Sequence, residues 1–220
     1  MTEVRRAIVR DSLAVGIATG AYGISFGAIG VATGLSVLQT CTLSVLVFTG
    51  ASQFAFVGVV GAGGAPLAGA ATALLLGSRN TLYGLRLTSL LNLRGARRLA
   101  GAQVVIDEST AMAVNRQDES HARLGFFTTG LAVFVLWNLA TLAGALGGQA
   151  LGDPRDLGFD AAVAAAFLAL LWPQLTTRRS RVTALGAVGV AVLLVPVVPA
   201  GVPVLAAAGV AVVAGTLGRR

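Results

Sequence analysis

Lysine is absent from this sequence, and cysteine and histidine each occur only once. A disulfide within the chain needs two cysteines and is therefore excluded, and Cys41 lies in an apolar segment, as a small core residue would. His121 lies in a polar stretch and is predicted to be solvated. Because no group of His, Cys and carboxylate residues has the spacing of metal ligands, we expect neither a metal nor another cofactor.

Charge is also scarce, since 11% of the 220 residues are charged and 55% are hydrophobic. A typical soluble domain is about a quarter charged. Residues 12–78, 124–152 and 182–218 carry no charge at all. As a helix, the first of these stretches would be about 100 Å long, about three times the thickness of a bilayer's hydrocarbon core. A water-soluble domain is therefore excluded, and the chain must cross or fold back repeatedly.

The net charge is +7, and every positive charge that contributes to it is an arginine. In a soluble protein such a balance would favour a nucleic-acid partner, but here the arginines lie in short stretches between apolar segments. In that position they are topology signals, and we expect no nucleic-acid partner. The first apolar stretch, residues 13–34, is too long for the core of a cleavable signal peptide and is predicted to be a retained membrane span.

The pattern predicts an all-α polytopic membrane protein with about six or seven transmembrane helices in a single domain, residues 1–220. The candidate membrane segments are residues 12–34, 38–61, 65–91, 124–147, 161–176, 182–199 and 201–217. The distribution of arginine places both termini, residues 94–123 and residues 178–181 in the cytoplasm, and the acidic stretch 148–160 outside.

This topology contains a conflict around Arg94. Three complete spans before Arg94 would place the basic cluster outside, so one of the first three segments should not cross, or residues 99–114 must cross back. We favour the first solution. Half-helices over 65–77 and 82–91 would enter the membrane and return, with Ser78–Asn80 at the tip. Six crossings and one broken or re-entrant segment result.

Glycine spacing predicts closely packed helices, because small residues four positions apart allow two backbones to approach. Pairs with this spacing are Gly16 and Gly20, Gly23 and Gly27, Gly30 and Gly34, and Gly144 and Gly148. The sequence GAIG at 27–30 also recurs as GALG at 144–147. This similarity indicates a possible inverted repeat of the kind found in secondary transporters, although chance similarity of two Gly- and Ala-rich helices explains it equally well.

Two polar interruptions of apolar segments are candidate binding residues, because polar groups are costly in hydrocarbon. The first is Thr49–Gln53, where Ser52 and Gln53 could bind a zwitterionic solute or form hydrogen bonds between helices. The second contains Arg79, Asn80 and Tyr83. An arginine at membrane depth favours a charge partner or a ligand carboxylate over extension of its side chain to the membrane surface.

Two further groups are candidates with a structural alternative. Asp107 and Glu108 could pair with Arg79 or take up a proton during transport, or they could be an acidic pair at a helix N-terminus in a cytoplasmic loop. Asn138 lies beside Trp137 in the middle of the segment 124–147 and needs a polar partner there. We expect packing and an interhelical hydrogen bond from this group somewhat more than substrate contact.

These pieces together resemble the AzlC family, the large subunit of bacterial branched-chain amino acid exporters. The resemblance lies in FTGASQFAFVG at 48–58, SRNTLYGLRL at 78–87, DES at 107–109, WNLATLAGALGG at 137–148 and DPRDLGFDAAVAAAFLALLWP at 153–173. Their order and spacing, rather than any single piece, are typical of the family. One departure is Asn80 and Thr81 after Arg79, where a histidine is expected in relatives.

The resemblance implies a secondary transporter subunit that exports valine, leucine or isoleucine across the bacterial cytoplasmic membrane. It also implies a small membrane partner resembling AzlD. No nucleotide-binding motif is present, so an ion gradient or the substrate gradient would drive transport. No nucleophile and base are arranged as in an enzyme, and we expect no enzymatic activity. The alternative function is a passive channel for small neutral solutes, because re-entrant half-helices also build channels.

Overall fold

The computed structural model describes residues 3–116, 118–150, 168, 171–172, 175–198 and 202–217. These residues contain helices and no β-strand. We number the helices α1 (Glu3–Ala32), α2 (Val37–Leu46), α3 (Ala51–Gly61), α4 (Pro66–Gly77), α5 (Arg79–Leu91), α6 (Ala96–Gln103), α7 (Asp107–Val114), α8 (Glu119–Ala150), α9 (Arg178–Leu194) and α10 (Val202–Leu217). Residues 151–160 of the predicted outer connection and most of the predicted span 161–176 lie outside the described residues.

Helices α1 and α8 are each long and apolar enough to cross a membrane, and they form the largest helix–helix interface. They run parallel. A Cβ added at Gly16 would lie 2.7 Å from the Cβ of Ala132, and one at Gly27 would overlap the carbonyl oxygen of Thr141. Contacts therefore advance in the same direction along both helices. Small residues allow this approach, as the glycine spacing predicts.

The α1–α8 interface is also nearly symmetric. A Cβ at Gly27 would overlap the Thr141 carbonyl oxygen, and a Cβ at Gly144 would overlap that of Ile24. The two glycines are 117 positions apart, and so are Ile24 and Thr141. Ser12 and Thr129 have the same separation, and their hydroxyls form a hydrogen bond at 2.9 Å. Corresponding helices of an inverted repeat run antiparallel. The possible inverted repeat indicated by GAIG and GALG does not describe these two helices, which are related as a parallel pair.

One predicted packing glycine has a different function. Gly34 ends α1 with a φ of 93°, and a Cβ there would meet nothing within 4 Å among the described atoms. A positive φ is accessible to glycine at little cost, so Gly34 serves the turn between α1 and α2.

The predicted single span 38–61 is a helical hairpin, which we call the first hairpin (α2 and α3). Helix α2 packs antiparallel to α1: Gly30 contacts Thr40, and farther inside the bundle the Ser44 hydroxyl donates to Thr141 on α8 at 3.3 Å. Helix α3 then returns toward the end of α1, since Gly61 contacts Thr33. The prediction of a complete crossing over 38–61 is therefore wrong, and the tip of the hairpin, residues 47–50, lies inside the bundle.

The segment predicted to enter and return, residues 65–91, instead continues in one direction. Helix α4 packs antiparallel to α3, with Gly69 against Phe56 and Gly77 against Ser52. Only Ser78 separates α4 from α5, and its φ of −58° and ψ of −24° are helical. One helical residue cannot reverse the chain. With Ser78 included, α4 and α5 cover the 26 residues from Pro66 to Leu91, about 39 Å of helix at 1.5 Å per residue, which is long enough for one interrupted crossing.

Helices α6 and α7 form the second hairpin, which enters from the opposite end of the bundle. Gly101 on α6 contacts Leu93, Val104 contacts Gly130 of α8 deeper inside, and Gly125 then contacts Met112 as α7 returns. The chain thus folds back over 96–114 rather than crossing. Because α4 and α5 cross once and neither hairpin crosses, the starts of α1, α6 and α8 lie at the same end, which we call the basic end.

Helix α8 begins with a charged cap that corrects the expectation of a solvated His121. The Asp118 carboxylate accepts hydrogen bonds from the His121 backbone N–H at 2.9 Å and the Ser120 hydroxyl at 2.8 Å, and it also contacts the His121 ring. The backbone N–H, followed by the Ser120 hydroxyl, lowers the pKa of Asp118 to about 2. Asp118 therefore caps α8, and the His121 side chain beside it is only partly exposed.

Helices α9 and α10 form an antiparallel pair, in which Arg179 donates to the Ala214 carbonyl and Gly186 packs against Val210. They match the predicted segments 182–199 and 201–217 in position. Among the described helices, α4 makes the main contact between this pair and the remainder of the chain.

Candidate functional site

The tips of the two hairpins meet beside the α4–α5 junction. The Gln103 side chain at the end of α6 donates to the Val45 carbonyl of the first hairpin at 2.7 Å. The Asn80 side chain at the start of α5 donates to the Val105 carbonyl of the second hairpin at 3.0 Å. Gly77 at the end of α4 lies against the Ser52 hydroxyl. Three separate helix interruptions are thereby joined at one place inside the bundle.

Four short helices have a terminus at this place. Helices α2 and α6 end there, and α3 and α7 begin there. Gly50 precedes α3 with a φ of 61°, a conformation that favours glycine, and no side chain caps this helix. Helix N-termini carry partial positive charge and C-termini partial negative charge. The centre of the bundle therefore offers backbone groups of both signs to a bound molecule.

An ion pair spans the junction between α5 and the second hairpin. The Arg79 guanidinium lies 2.9 Å from the Asp107 carboxylate, and both side chains keep some exposure, 35% and 44%. Tyr83 lies beside Asp107, one turn along α5 from Arg79. Glu108 faces α1 instead, where the Thr19 hydroxyl donates to it at 3.4 Å. Asp107 and Glu108 do begin a helix, as one alternative predicted, but this helix N-terminus lies at the tip of the second hairpin inside the bundle rather than in a cytoplasmic loop. The pairing with Arg79, the other alternative, is present through Asp107.

Several buried polar atoms near the tips have no hydrogen-bond partner within the described part of the chain. They are the Thr49 hydroxyl, the Ser52 hydroxyl, the Gln53 side-chain oxygen, the Asn80 side-chain oxygen, the Trp137 indole N–H and the Asn138 side-chain oxygen. An unsatisfied buried polar group costs about 1–3 kcal/mol. Such a concentration is typical of a site where a ligand or water completes the hydrogen bonds.

An open cavity of about 550 Å³ lies between the first hairpin, α5 and α6. Its polar walls include Thr49, Asn80 and Gln103, and its apolar walls include Phe48 and Leu85. Ligand sites for small molecules have volumes of about 300–1,000 Å³ and combine apolar walls with a few polar groups. The cavity is therefore large enough for an amino acid.

The predicted binding residues fall into three positions. Asn80 lines the cavity. Ser52 and Gln53 are buried directly behind the first tip, where the Gln53 amide donates to the Ser44 carbonyl at 3.1 Å. Arg79 and its neighbour Tyr83 lie on the side of α5 that faces Asp107.

Asn138 is the predicted residue with the weakest connection to the site. Its amide donates to the Phe134 carbonyl of its own helix at 2.8 Å, rather than to another helix. The expected interhelical bond in this region comes from Thr141, which accepts from Ser44. Trp137 packs between aromatic rings, stacked on Phe26 at 6.2 Å and edge-on to Phe54.

Gln103 is a site residue that the sequence did not single out. Gln103 lies between Ala102 and the apolar residues VVI at 104–106. The one feature of the sequence that could have indicated it is a polar amide four positions before Asp107. Its importance lies in the bond to Val45, which depends on two hairpins entering from opposite ends. Within the described residues, no group of His, Cys and carboxylate side chains is arranged to hold a metal ion.

The family model described as AzlC protein matches residues 14–151. The match covers more than half of the chain and includes α1, both hairpins, the interrupted α4–α5 crossing and α8. No curated protein matches the chain. No solved structure matches it either.

Proposed function

Because the chain belongs to the AzlC family, which is associated with branched-chain amino acid transport, we propose that it is the large subunit of a secondary exporter of branched-chain or other hydrophobic amino acids. One observation carries the site assignment: buried polar atoms without partners gather where two hairpins from opposite ends meet. Non-helical backbone at membrane depth is tolerated where it lines a cavity, and in secondary transporters it holds the substrate.

The proposed substrate mode follows from the chemistry of a zwitterion. The guanidinium of Arg79 binds the substrate carboxylate, because its fork of N–H donors matches a planar carboxylate. Asp107 binds the substrate ammonium. Arg79 and Asp107 satisfy each other's charge until the substrate separates them. Neither Arg79 nor Asp107 lines the 550 Å³ cavity, but Asn80, the residue after Arg79, does. Asn80 would add an amide oxygen, and the apolar wall at Phe48 and Leu85 would accept a branched side chain once the pair opens toward the cavity.

Glu108 is proposed as the proton-linked group of the cycle. It lies one residue from Asp107 but contacts α1 through Thr19, so its charge can influence the relative position of α1 and the second hairpin. The other ionisable groups near it are Asp107, Arg79 and Tyr83. A small membrane subunit resembling AzlD remains a proposed partner.

The structure also yields a proposed orientation in the bacterial cytoplasmic membrane. The basic end carries most arginines of the described chain, including Arg5, Arg94 and Arg123, and arginine-rich loops stay in the cytoplasm. In this orientation, residues 62–65 after the first hairpin lie outside the cell, and residues 92–95 before the second hairpin lie in the cytoplasm. The C-terminus was expected in the cytoplasm from the sequence, and this stays a proposal.

A cysteine-labelling experiment tests this orientation. In a Cys41→Ala background, Ala62→Cys and Ala96→Cys place single thiols at two exposed positions. We expect an impermeant maleimide added to intact cells to label Cys at 62, and to label Cys at 96 only after the membrane is opened. A complete crossing by residues 38–61 would reverse the result at position 62, because that loop would then be cytoplasmic.

The transport test uses cells without other amino-acid exporters that are fed a valine-containing dipeptide. Co-expression of the chain with its small partner should lower intracellular valine severalfold and raise external valine by the corresponding amount. A matched control expresses the partner alone. Equal intracellular valine with and without the chain contradicts export of valine.

A passive channel remains the second candidate, because two hairpins that meet from opposite ends are also a channel architecture. Counterflow in proteoliposomes separates the two functions. An exporter preloaded with unlabelled leucine should accumulate labelled leucine transiently and saturably, whereas a channel should only equilibrate it.

A further inference from the structure

A second cavity lies at the basic end, away from the hairpin tips. It has a volume of about 700 Å³ and is lined by Asn92, Leu93, Arg94, Ala96, Arg97, Arg123 and Phe127. We propose that this cavity binds the phosphate of an anionic phospholipid headgroup, with the acyl chains along Leu93 and Phe127. The proposal is independent of the transported substrate.

The charges around this cavity favour an anion. Arg94 and Arg97 are exposed, and neither guanidinium has a hydrogen-bond or ion-pair partner in the described part of the chain. Arg123 is occupied differently: it donates to the Leu91 carbonyl at 2.7 Å and pairs with Glu119 at 2.6 Å. Glu119 is thus the carboxylate that faces the three arginines, and it pairs with Arg123. Arg94 and Arg97 remain available to a phosphate.

The backbone at this place adds to the same preference. Asn92, with a φ of 44°, ends α5 in a left-handed turn, and Gly95, with a φ of 55°, precedes α6. No side chain caps α6, so the N-terminus of this helix faces the cavity with free N–H groups at Ala96 and Arg97. Helix N-termini attract phosphate oxygens, and the neighbouring arginines supply full charges.

The position of the cavity favours a lipid over a free phosphate. Arg94 lies in the loop between α5 and α6, and Arg97 and Arg123 lie in the first turns of α6 and α8. Leu93 and the half-buried Phe127 form an apolar wall that continues along α8. Polar headgroups and acyl chains have this same order from the membrane surface inward. Basic pockets between transmembrane helices on the cytoplasmic side bind anionic headgroups.

Native mass spectrometry of the purified full-length chain tests the proposal by titration with phosphatidylglycerol and with phosphatidylcholine of the same acyl chains. We expect phosphatidylglycerol to bind at least about tenfold more tightly. The double variant Arg94→Ala and Arg97→Ala should weaken phosphatidylglycerol binding about 30-fold and leave phosphatidylcholine unchanged, since each arginine near an anionic surface contributes about 1 kcal/mol.

The matched control removes two exposed arginines from the same end, Arg5→Ala and Arg6→Ala, and should retain wild-type binding. The variant Arg94→Lys and Arg97→Lys keeps the charge and should retain most of the binding, which separates loss of the site from loss of folding. Equal affinity for the two lipids overturns the proposal. Full displacement of phosphatidylglycerol by millimolar glycerol phosphate overturns the lipid as the source of the phosphate.

Discussion

Replacing Gly144 by alanine should destabilise the chain by about 3 kcal/mol or more, at the upper end of the usual cost of overpacking. The added methyl group would overlap the Ile24 carbonyl oxygen and lie 2.8 Å from its carbonyl carbon. Backbone atoms cannot move aside as the end of a flexible side chain can, so α1 and α8 would have to separate. The same change at Gly27 should have a similar effect, because it meets the Thr141 carbonyl in the corresponding place.

Gly147→Ala is the matched control on the same helix. A Cβ at Gly147 would meet nothing within 4 Å among the described atoms, and alanine favours a helix over glycine by about 1 kcal/mol. Thermal unfolding of the purified variants in detergent, followed by size-exclusion chromatography, should show an early loss of the Gly144 variant and no loss of the Gly147 variant. Equal melting temperatures for the two would mean that α1 and α8 do not pack through Gly144.

Arg79→Gln should reduce amino-acid export about 30-fold or more. The substitution removes the proposed partner of the substrate carboxylate, and a hydrogen bond to a charged group contributes about 1.5–3 kcal/mol. It also leaves Asp107 without its guanidinium. Because an unpaired carboxylate is costly at membrane depth, some stability should be lost as well. The expected signature is therefore a raised half-saturating concentration in the protein that remains folded.

Arg86→Gln is the control for this prediction, since Arg86 lies two turns farther along α5 and is exposed. Its export should remain near the wild-type rate. Uptake of labelled leucine in counterflow gives both the maximal rate and the half-saturating concentration, and unfolding temperatures report stability. If Arg79 served only the fold, Arg79→Gln would melt early and the surviving protein would transport with an unchanged half-saturating concentration.

The positions of the helix breaks could be read from the sequence, but the direction of the chain after each break could not. Gly50 and Ser78 both follow apolar runs and look equivalent in composition. At the first the chain turns back, with a φ of 61° at Gly50, and at the second it continues with helical angles. Hydropathy is the same for a segment that crosses and for one that returns, so the sequence predicts a returning segment at 65–91 although the segment that returns is 38–61.

The candidate site, too, could be predicted from the sequence only in part. Pairing of Arg79 with Asp107 or Glu108 is one of the alternatives that the sequence leaves open, because an isolated charge is costly at membrane depth, and the structure contains the pair with Asp107 at 2.9 Å. Gln103 and the cavity beside it were missed, because they arise from contacts between hairpins that lie nearly 60 positions apart in the chain.

The sequence by itself determined that this is a helical membrane protein of the AzlC family, because scarce charge, long apolar runs and the order of short motifs are properties of the chain alone. The tertiary structure decided which segments turn back and where their tips meet. The physical reason is that a helix of ten or eleven residues is too short to cross a bilayer, and only its contacts with α1 and α8 show toward which end it runs. In this arrangement the tips of the two hairpins meet beside the start of α5, where Arg79 pairs with Asp107 of the second hairpin.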